Sequence, residues 1–142
     1  MDKAPPYLPQ DVIFQFILDK IDYVEKDPLN QKGKVSLIHF LKEFGTFALS
    51  CGRRSGHTSL AKKIANHFED SIMFTQNLRL AKMQFEEEFR QKRVFTFNIK
   101  DSTFSGMDWK DKIIVVDMAY FISGCLLTKI YQAHPKFVIL LG

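Results

Sequence analysis

The chain has 142 residues, of which 46% are hydrophobic and 25% charged, with a formal net charge of +4. This composition fits one domain with a packed core and excludes wholesale disorder. The positive excess is too small to diagnose nucleic-acid binding by itself, and Cys51 and Cys125, with no CxxC pair and no histidine ladder, exclude a zinc site and a disulfide framework. Two cysteines used this way suit a reducing, cytoplasm-like compartment. Fourteen phenylalanines supply much of the candidate core, since each ring buries a large apolar area.

Met1–Pro9 is polar and proline-rich, unlike a signal peptide, and reads as an extended arm. No apolar run reaches the length of a membrane span, so no membrane association is expected. From Gln10 the pattern turns helical, with Val12, Ile13, Phe16, Ile17, Ile21 and Val24 on one face, and Asp27-Pro28 ends it. A second helix is expected from about Val35 to Phe44, with Leu37, Ile38, Leu41 and Phe44 inward and Gly45 as its stop. Thr46–Ser50 is short and apolar and reads as a buried strand. The turn Cys51–His57 follows, then a helical face of Leu60, Ala61, Ile64, Ala65 and Phe68. Ser71–Thr75 reads as a second strand. Asn77 can cap a helix with Leu78, Ala81, Phe85 and Phe89 inward. Val94–Ile99 alternates and reads as a strand nearer an edge, and Asp101–Asp111 as a loop. Ile113–Asp117 is the clearest strand of all. A helix over roughly Tyr120–Ala133 follows, His134-Pro135 breaks it, and Phe137–Leu141 is the last strand. Strands alternating with helices imply an α/β fold, with a mainly parallel sheet covered by helices on both faces. The arm and two helices over 1–44 are expected to pack on the α/β core over 45–142.

The turn after the first strand carries the most chemistry. A strand-to-helix turn can wrap a phosphate in backbone N–H groups where the helix dipole favours an anion. In a P-loop of the form GxxxxGK[ST] a lysine neutralises the outer phosphates and a hydroxyl holds magnesium. Here Gly56 stands at the second glycine and Thr58 at the hydroxyl position. Cys51 replaces the first glycine, with Gly52 one residue late, and His57 replaces the lysine.

The string Gly52-Arg53-Arg54-Ser55-Gly56-His57-Thr58 resembles the Walker A variant of viral large terminases and related helicase-like ATPases, roughly R-x-x-G-K-[ST]. Arg53, Gly56 and Thr58 match that pattern and His57 departs from it. Downstream, Ile113–Asp117 resembles Walker B, a hydrophobic strand ending in a magnesium-organising aspartate, and Phe137–Leu141 resembles the strand carrying the coupling motif. The resemblance spans roughly Thr46 to Gly142. It implies a nucleotide-binding protein with ATP and Mg2+ as cofactors. Gly52, Arg53, Arg54, Ser55, Gly56, His57, Thr58 and Ser59 would lie around the phosphates, and Thr58 and Asp117 at the metal. It also implies a role in DNA transactions such as viral packaging or replication, with nucleotide, DNA and a protein partner or second copy of the chain as partners.

Two departures bear on hydrolysis. Active members usually follow Walker B with a glutamate that polarises the attacking water, and here Met118 follows Asp117. Histidine is shorter than lysine and neutral much of the time near pH 7. Phosphoryl transfer depends mainly on positioning and charge stabilisation, so hydrolysis is expected to be weak or absent. The alternative is a catalytically inactive relative used as an interaction or assembly module, docking through its N-terminal helices.

Other residues have plainer readings. Arg79, Lys82, Arg90, Lys92 and Arg93 are interspersed with Glu86, Glu87 and Glu88, which suits a solvated helix face. Trp109, with Phe104 and Met107, is read either as a partner surface or as cover for the core edge. His39, His67 and His134 show no partner spacing.

Overall fold

A computed structural model of the chain describes residues 9–27, 33–50, 57–76, 79 and 93–142. Runs of β-branched, aromatic and long apolar residues build five strands: β1 Thr46–Leu49, β2 Ser71–Thr75, β3 Val94–Thr96, β4 Ile113–Asp117 and β5 Phe137–Leu141. They form one sheet in the order β1-β5-β4-β2-β3, with every neighbouring pair parallel. Every residue of β2 and β4 is buried, as expected for central parallel strands covered on both faces.

Six helical segments accompany the sheet among the described residues: α1 Gln10–Lys26, α2 Leu37–Glu43, α3 His57–His67, α4 Asp101–Ser105, a 3-10 turn at Ala119–Phe121 and α5 Gly124–Gln132. Alternate strand residues feed two cores. Met73, Val94, Ile113, Val115, Phe137, Ile139 and Leu141 pack against α1 and α3. Ile72, Phe74, Ile114, Val116 and Val138 pack against α4 and α5. Helices therefore lie on both faces. Crossover handedness explains the division, because connections moving one way across the sheet take one face and those moving back take the other. The chain moves from β1 across to β2 on the α3 face. It returns from β3 through β4 to β5 on the α4–α5 face.

Several local expectations change. Ile17, Ile21 and Val24 of α1 are buried, whereas Val12 and Phe16 are 69% and 56% exposed. The sheet takes only the arc of α1 centred on Ile17 and Ile21, and Phe16 instead lies 5.7 Å from the ring of Phe47. In α2, Leu37 is 57% exposed and Phe40 takes the inward place. Its true start is set by Ser36, whose hydroxyl accepts the His39 N–H at 3.1 Å. β1 is an edge strand with Ala48 exposed, not a buried one. β3 lies at the opposite edge, as its alternation suggested. The loop expected over Asp101–Asp111 contains α4, and Phe104 and Trp109 are buried core residues there, with the Trp109 Nε1–H donating to the Phe104 carbonyl at 2.7 Å. The helix expected over Tyr120–Ala133 is split: Ile122 is extended, and Ser123 starts α5 by accepting the Leu126 N–H at 3.1 Å. The helix expected after Asn77 lies outside the described residues.

Candidate functional site

In open α/β sheets, ligands bind outside the carboxyl ends of the strands, where successive connections leave for opposite faces. In this sheet α3, reached from β1, lies on one face. The segment following β4 leads to α5 on the other. The two approach each other at the carboxyl end of β4, and Thr58 meets Asp117 there.

Asp117 is the last residue of β4 and is 1% exposed. Thr58 is the second residue of α3 and half-buried. The Thr58 hydroxyl lies 3.2 Å from Oδ1 and 3.1 Å from Oδ2 of Asp117, and donates its single hydrogen between them. The Met118 N–H donates to Asp117 Oδ1 at 3.1 Å. A carboxylate at this depth is costly unless it is hydrogen-bonded, and these contacts supply part of what it needs. The sheet fixes one partner and the α3 face the other. α3 is anchored by Leu60, Ala61, Ile64 and Ala65, all fully buried, so the first turn of the helix is held over the end of β4.

Beyond Asp117 the backbone turns sharply. Met118 adopts a left-handed conformation, φ 57°, which costs a non-glycine residue about 1–2 kcal/mol. The 3-10 turn follows, closed by the Phe121 N–H donating to the Met118 carbonyl at 3.0 Å. Met118 is thus the residue at which the chain turns out of the strand.

The sequence-derived site residues fall into two groups. Thr58 and Asp117, assigned together to a metal, are in direct contact. Ser59 is exposed on the first turn of α3. His57 opens α3 as its first residue. Gly52, Arg53, Arg54, Ser55 and Gly56 lie outside the described residues. The hydroxyl and carboxylate are hard oxygen donors of the kind magnesium takes, with the remaining positions filled by water or phosphate oxygens. The pair therefore fits that ion chemically. No cluster of three or more His, Cys, Asp or Glu suited to holding a metal occurs among the described residues, so a metal here would depend on oxygens from its ligand.

Of the basic run expected on a solvated helix face, Arg79 is exposed, and Lys82, Arg90 and Lys92 lie outside the described residues. Arg93 is instead a tether: its Nε–H donates to the Ser71 carbonyl at 2.8 Å and Nη2 to the Ala65 carbonyl at 2.9 Å and to the Phe68 carbonyl. Burial lowers its pKa, against the opposing pull of Asp70 and Glu69. Nothing in the sequence placed those carbonyls together. The exposed Tyr120 and Phe121 beside Asp117 were likewise hidden, because the expected helix would have absorbed them.

No protein-family model, curated protein or solved structure matches the chain. No helix among the described residues is long and apolar enough to cross a membrane.

Proposed function

We propose that this chain is a degenerate P-loop protein that binds a nucleotide with its phosphates at the start of α3 and a magnesium ion beside Thr58 and Asp117. The observation that carries the reading is the contact of the Thr58 hydroxyl with both carboxylate oxygens of Asp117, at 3.2 and 3.1 Å. Two residues 59 positions apart, each singled out from a separate motif, meet at the end of a parallel sheet where ligands bind. Magnesium would supply charge neutralisation at the phosphates. Thr58 and Asp117 would orient it, and the N-terminal dipole of α3 would favour the anion. His57 donates at most a hydrogen bond at neutral pH, and Met118 carries no base, so hydrolysis is slow or absent. The resemblance to terminase-like ATPases favours a role in DNA transactions, and the cysteine usage suits a reducing, cytoplasm-like compartment.

Calorimetric titration with ATP and ADP, with and without magnesium, tests this reading. Magnesium-dependent binding should weaken at least tenfold in Thr58→Ala and in Asp117→Ala. His57→Lys should raise ATP affinity about tenfold, equivalent to about 1.4 kcal/mol. Absence of heat at concentrations that detect a millimolar complex would sink the nucleotide reading.

A second reading, an inactive relative acting as an assembly module, is favoured by α1. Val12, Phe16 and Tyr23 remain 69%, 56% and 48% exposed along that helix. Deleting α1 would also strip Ile17, Ile21 and Val24 from the core, so a point change is the sharper probe. On this reading Phe16→Ser abolishes self-association in sedimentation velocity without unfolding the chain, and a wild-type protein monomeric at high concentration speaks against it.

A further inference from the structure

We propose that the Tyr120–Phe121 pair is a stacking surface for a nucleobase, set beside the Thr58–Asp117 pair at the carboxyl end of the sheet. This inference rests on the nucleotide-binding reading and extends it from the phosphate end of the ligand to the base.

Four observations carry it. First, the two rings stay at the surface, as Phe16 and Tyr23 of α1 do, while other aromatics are taken into the core. Phe74, Phe104 and Trp109 stack within one core, with Trp109 centroids 4.6 Å from Phe104 and 5.6 Å from Phe74. Tyr120 and Phe121 are 55% and 42% exposed. Second, they lie against each other, with centroids 4.3 Å apart and planes inclined by 31°, so together they present one aromatic surface. Third, their place is set by Asp117. Tyr120 follows it by three residues, and three residues span at most about 10 Å. Fourth, the turn beneath them is braced. The Phe121 N–H donates to the Met118 carbonyl at 3.0 Å and the Ile122 N–H to the Ala119 carbonyl at 3.1 Å. The end of β5 packs so closely that a Cβ on Gly142 would sit 3.0 Å from the Ala119 nitrogen and 3.0 Å from Tyr120 Cδ1. A braced platform loses little freedom when a base settles on it, which is what makes stacking productive.

Every base has a π-face, so an aromatic platform recognises the base of a mononucleotide and that of single-stranded nucleic acid by the same chemistry. The two sources are separated by experiment. The full chain and the variants Tyr120→Ala, Phe121→Ala and Tyr120→Phe are titrated with three probes: Mg–ATP, Mg–tripolyphosphate and a fluorescein-labelled single-stranded dT oligonucleotide. Both rings are exposed, so the alanine variants keep their fold, which thermal melting verifies. The alanine variants should lose about tenfold or more in affinity for a base-bearing probe. Tripolyphosphate binding should stay unchanged, and Tyr120→Phe should behave as wild type. Loss confined to ATP makes the mononucleotide the source, and loss confined to the oligonucleotide makes nucleic acid the source. Thr58→Ala serves as the reference, since it weakens ATP and tripolyphosphate alike. If ATP and tripolyphosphate fail to bind the wild type while the ring variants lose oligonucleotide, the phosphate-site reading falls and the stacking surface stands. The stacking surface is overturned if the alanine variants bind ATP and oligonucleotide as tightly as wild type. It is equally overturned if tripolyphosphate affinity falls in step with ATP, or if the wild type binds neither base-bearing probe.

Discussion

The two ends of the sheet use polar side chains in opposite ways. At the amino ends of the strands, polar side chains are spent on backbone carbonyls. The Ser71 hydroxyl lies 2.7 Å from the Phe68 carbonyl and 3.0 Å from that of Ala65, and Arg93 donates to the same two carbonyls and to that of Ser71. Thr46 donates to the Leu41 carbonyl at 2.8 Å, and Lys20 closes on the Thr46 carbonyl at 2.9 Å. Ion pairs Lys136–Glu25 and Lys112–Asp70 add to this end. At the carboxyl ends, the buried Asp117 faces a hydroxyl and two aromatic rings are exposed, whereas left-handed non-glycine residues occur at both ends, Met118 here and Asp111 and His134 at the other. Carbonyls satisfied in this way stabilise the fold. A buried carboxylate beside a hydroxyl is, on the proposed reading, an oxygen donor kept for a ligand. Substitutions at the two ends should therefore fail in different assays.

The largest stability effect belongs to Arg93→Ala. It removes a charged donor from three carbonyls, and hydrogen bonds to charged groups are worth about 1.5–3 kcal/mol. Urea denaturation should show a loss of about 2–3 kcal/mol, seen as a lower midpoint at unchanged slope. Nucleotide affinity should not change. Arg93→Lys should recover only part, because an ammonium lacks the planar fork that reaches several acceptors at once. Equal stability of Arg93→Ala and wild type would mean the tether is replaced by water.

Asp117→Asn probes the other end. Asparagine keeps the shape of aspartate and an oxygen that can accept from Thr58, so stability should move by no more than about 1 kcal/mol. Magnesium-dependent nucleotide binding should fall at least tenfold, since the anionic donor is gone. If the substitution costs several kcal/mol instead, Asp117 is a structural cap and the contrast between the two ends collapses.

The same contrast explains what could be read in advance. The strands were legible because buried parallel strands are continuous apolar runs, and β2, β4 and β5 fall where those runs lie. Thr58 and Asp117 were legible because each ends or opens an element in a recognisable pattern. The edge position of β1 was not, since an apolar run reads alike at a centre or an edge until its neighbours are known. The inward arc of α1 was missed for a related reason: Val12 and Phe16 have suitable side chains, and only the docking angle on the sheet turns them outward. The break at Ile122 could have been found. Ser123-Gly124 is a sound helix-start signal, set between apolar residues that continue the helical pattern on either side. Arg93 carried no such signal, because its acceptors are backbone carbonyls and leave no mark in the sequence.

The smallest effect is also the one with a pH signature. Tyr131 of α5 lies with its hydroxyl 2.9 Å from Thr46 Oγ1, and Thr46 gives its own hydrogen to the Leu41 carbonyl, so the phenol is the donor between them. Burial raises the Tyr131 pKa above the ordinary phenol value of about 10. A group whose folded pKa is raised contributes stability that is fully present below its unfolded value and is lost as pH rises through its folded value. Tyr131→Phe should thus cost about 0.5–1 kcal/mol at pH 8, the worth of one neutral hydrogen bond. The gap between the two proteins should narrow above pH 10, because the wild type must then keep a phenol neutral and the variant has none. Lys20, whose pKa burial lowers, titrates in both proteins, so its effect cancels in the difference. Urea melts of both proteins at pH 8, 10 and 11 measure that difference directly. A gap that stays constant across the series would show that the Tyr131 hydroxyl reaches water, and that the amino end of the sheet is less tightly closed than its hydrogen bonds imply.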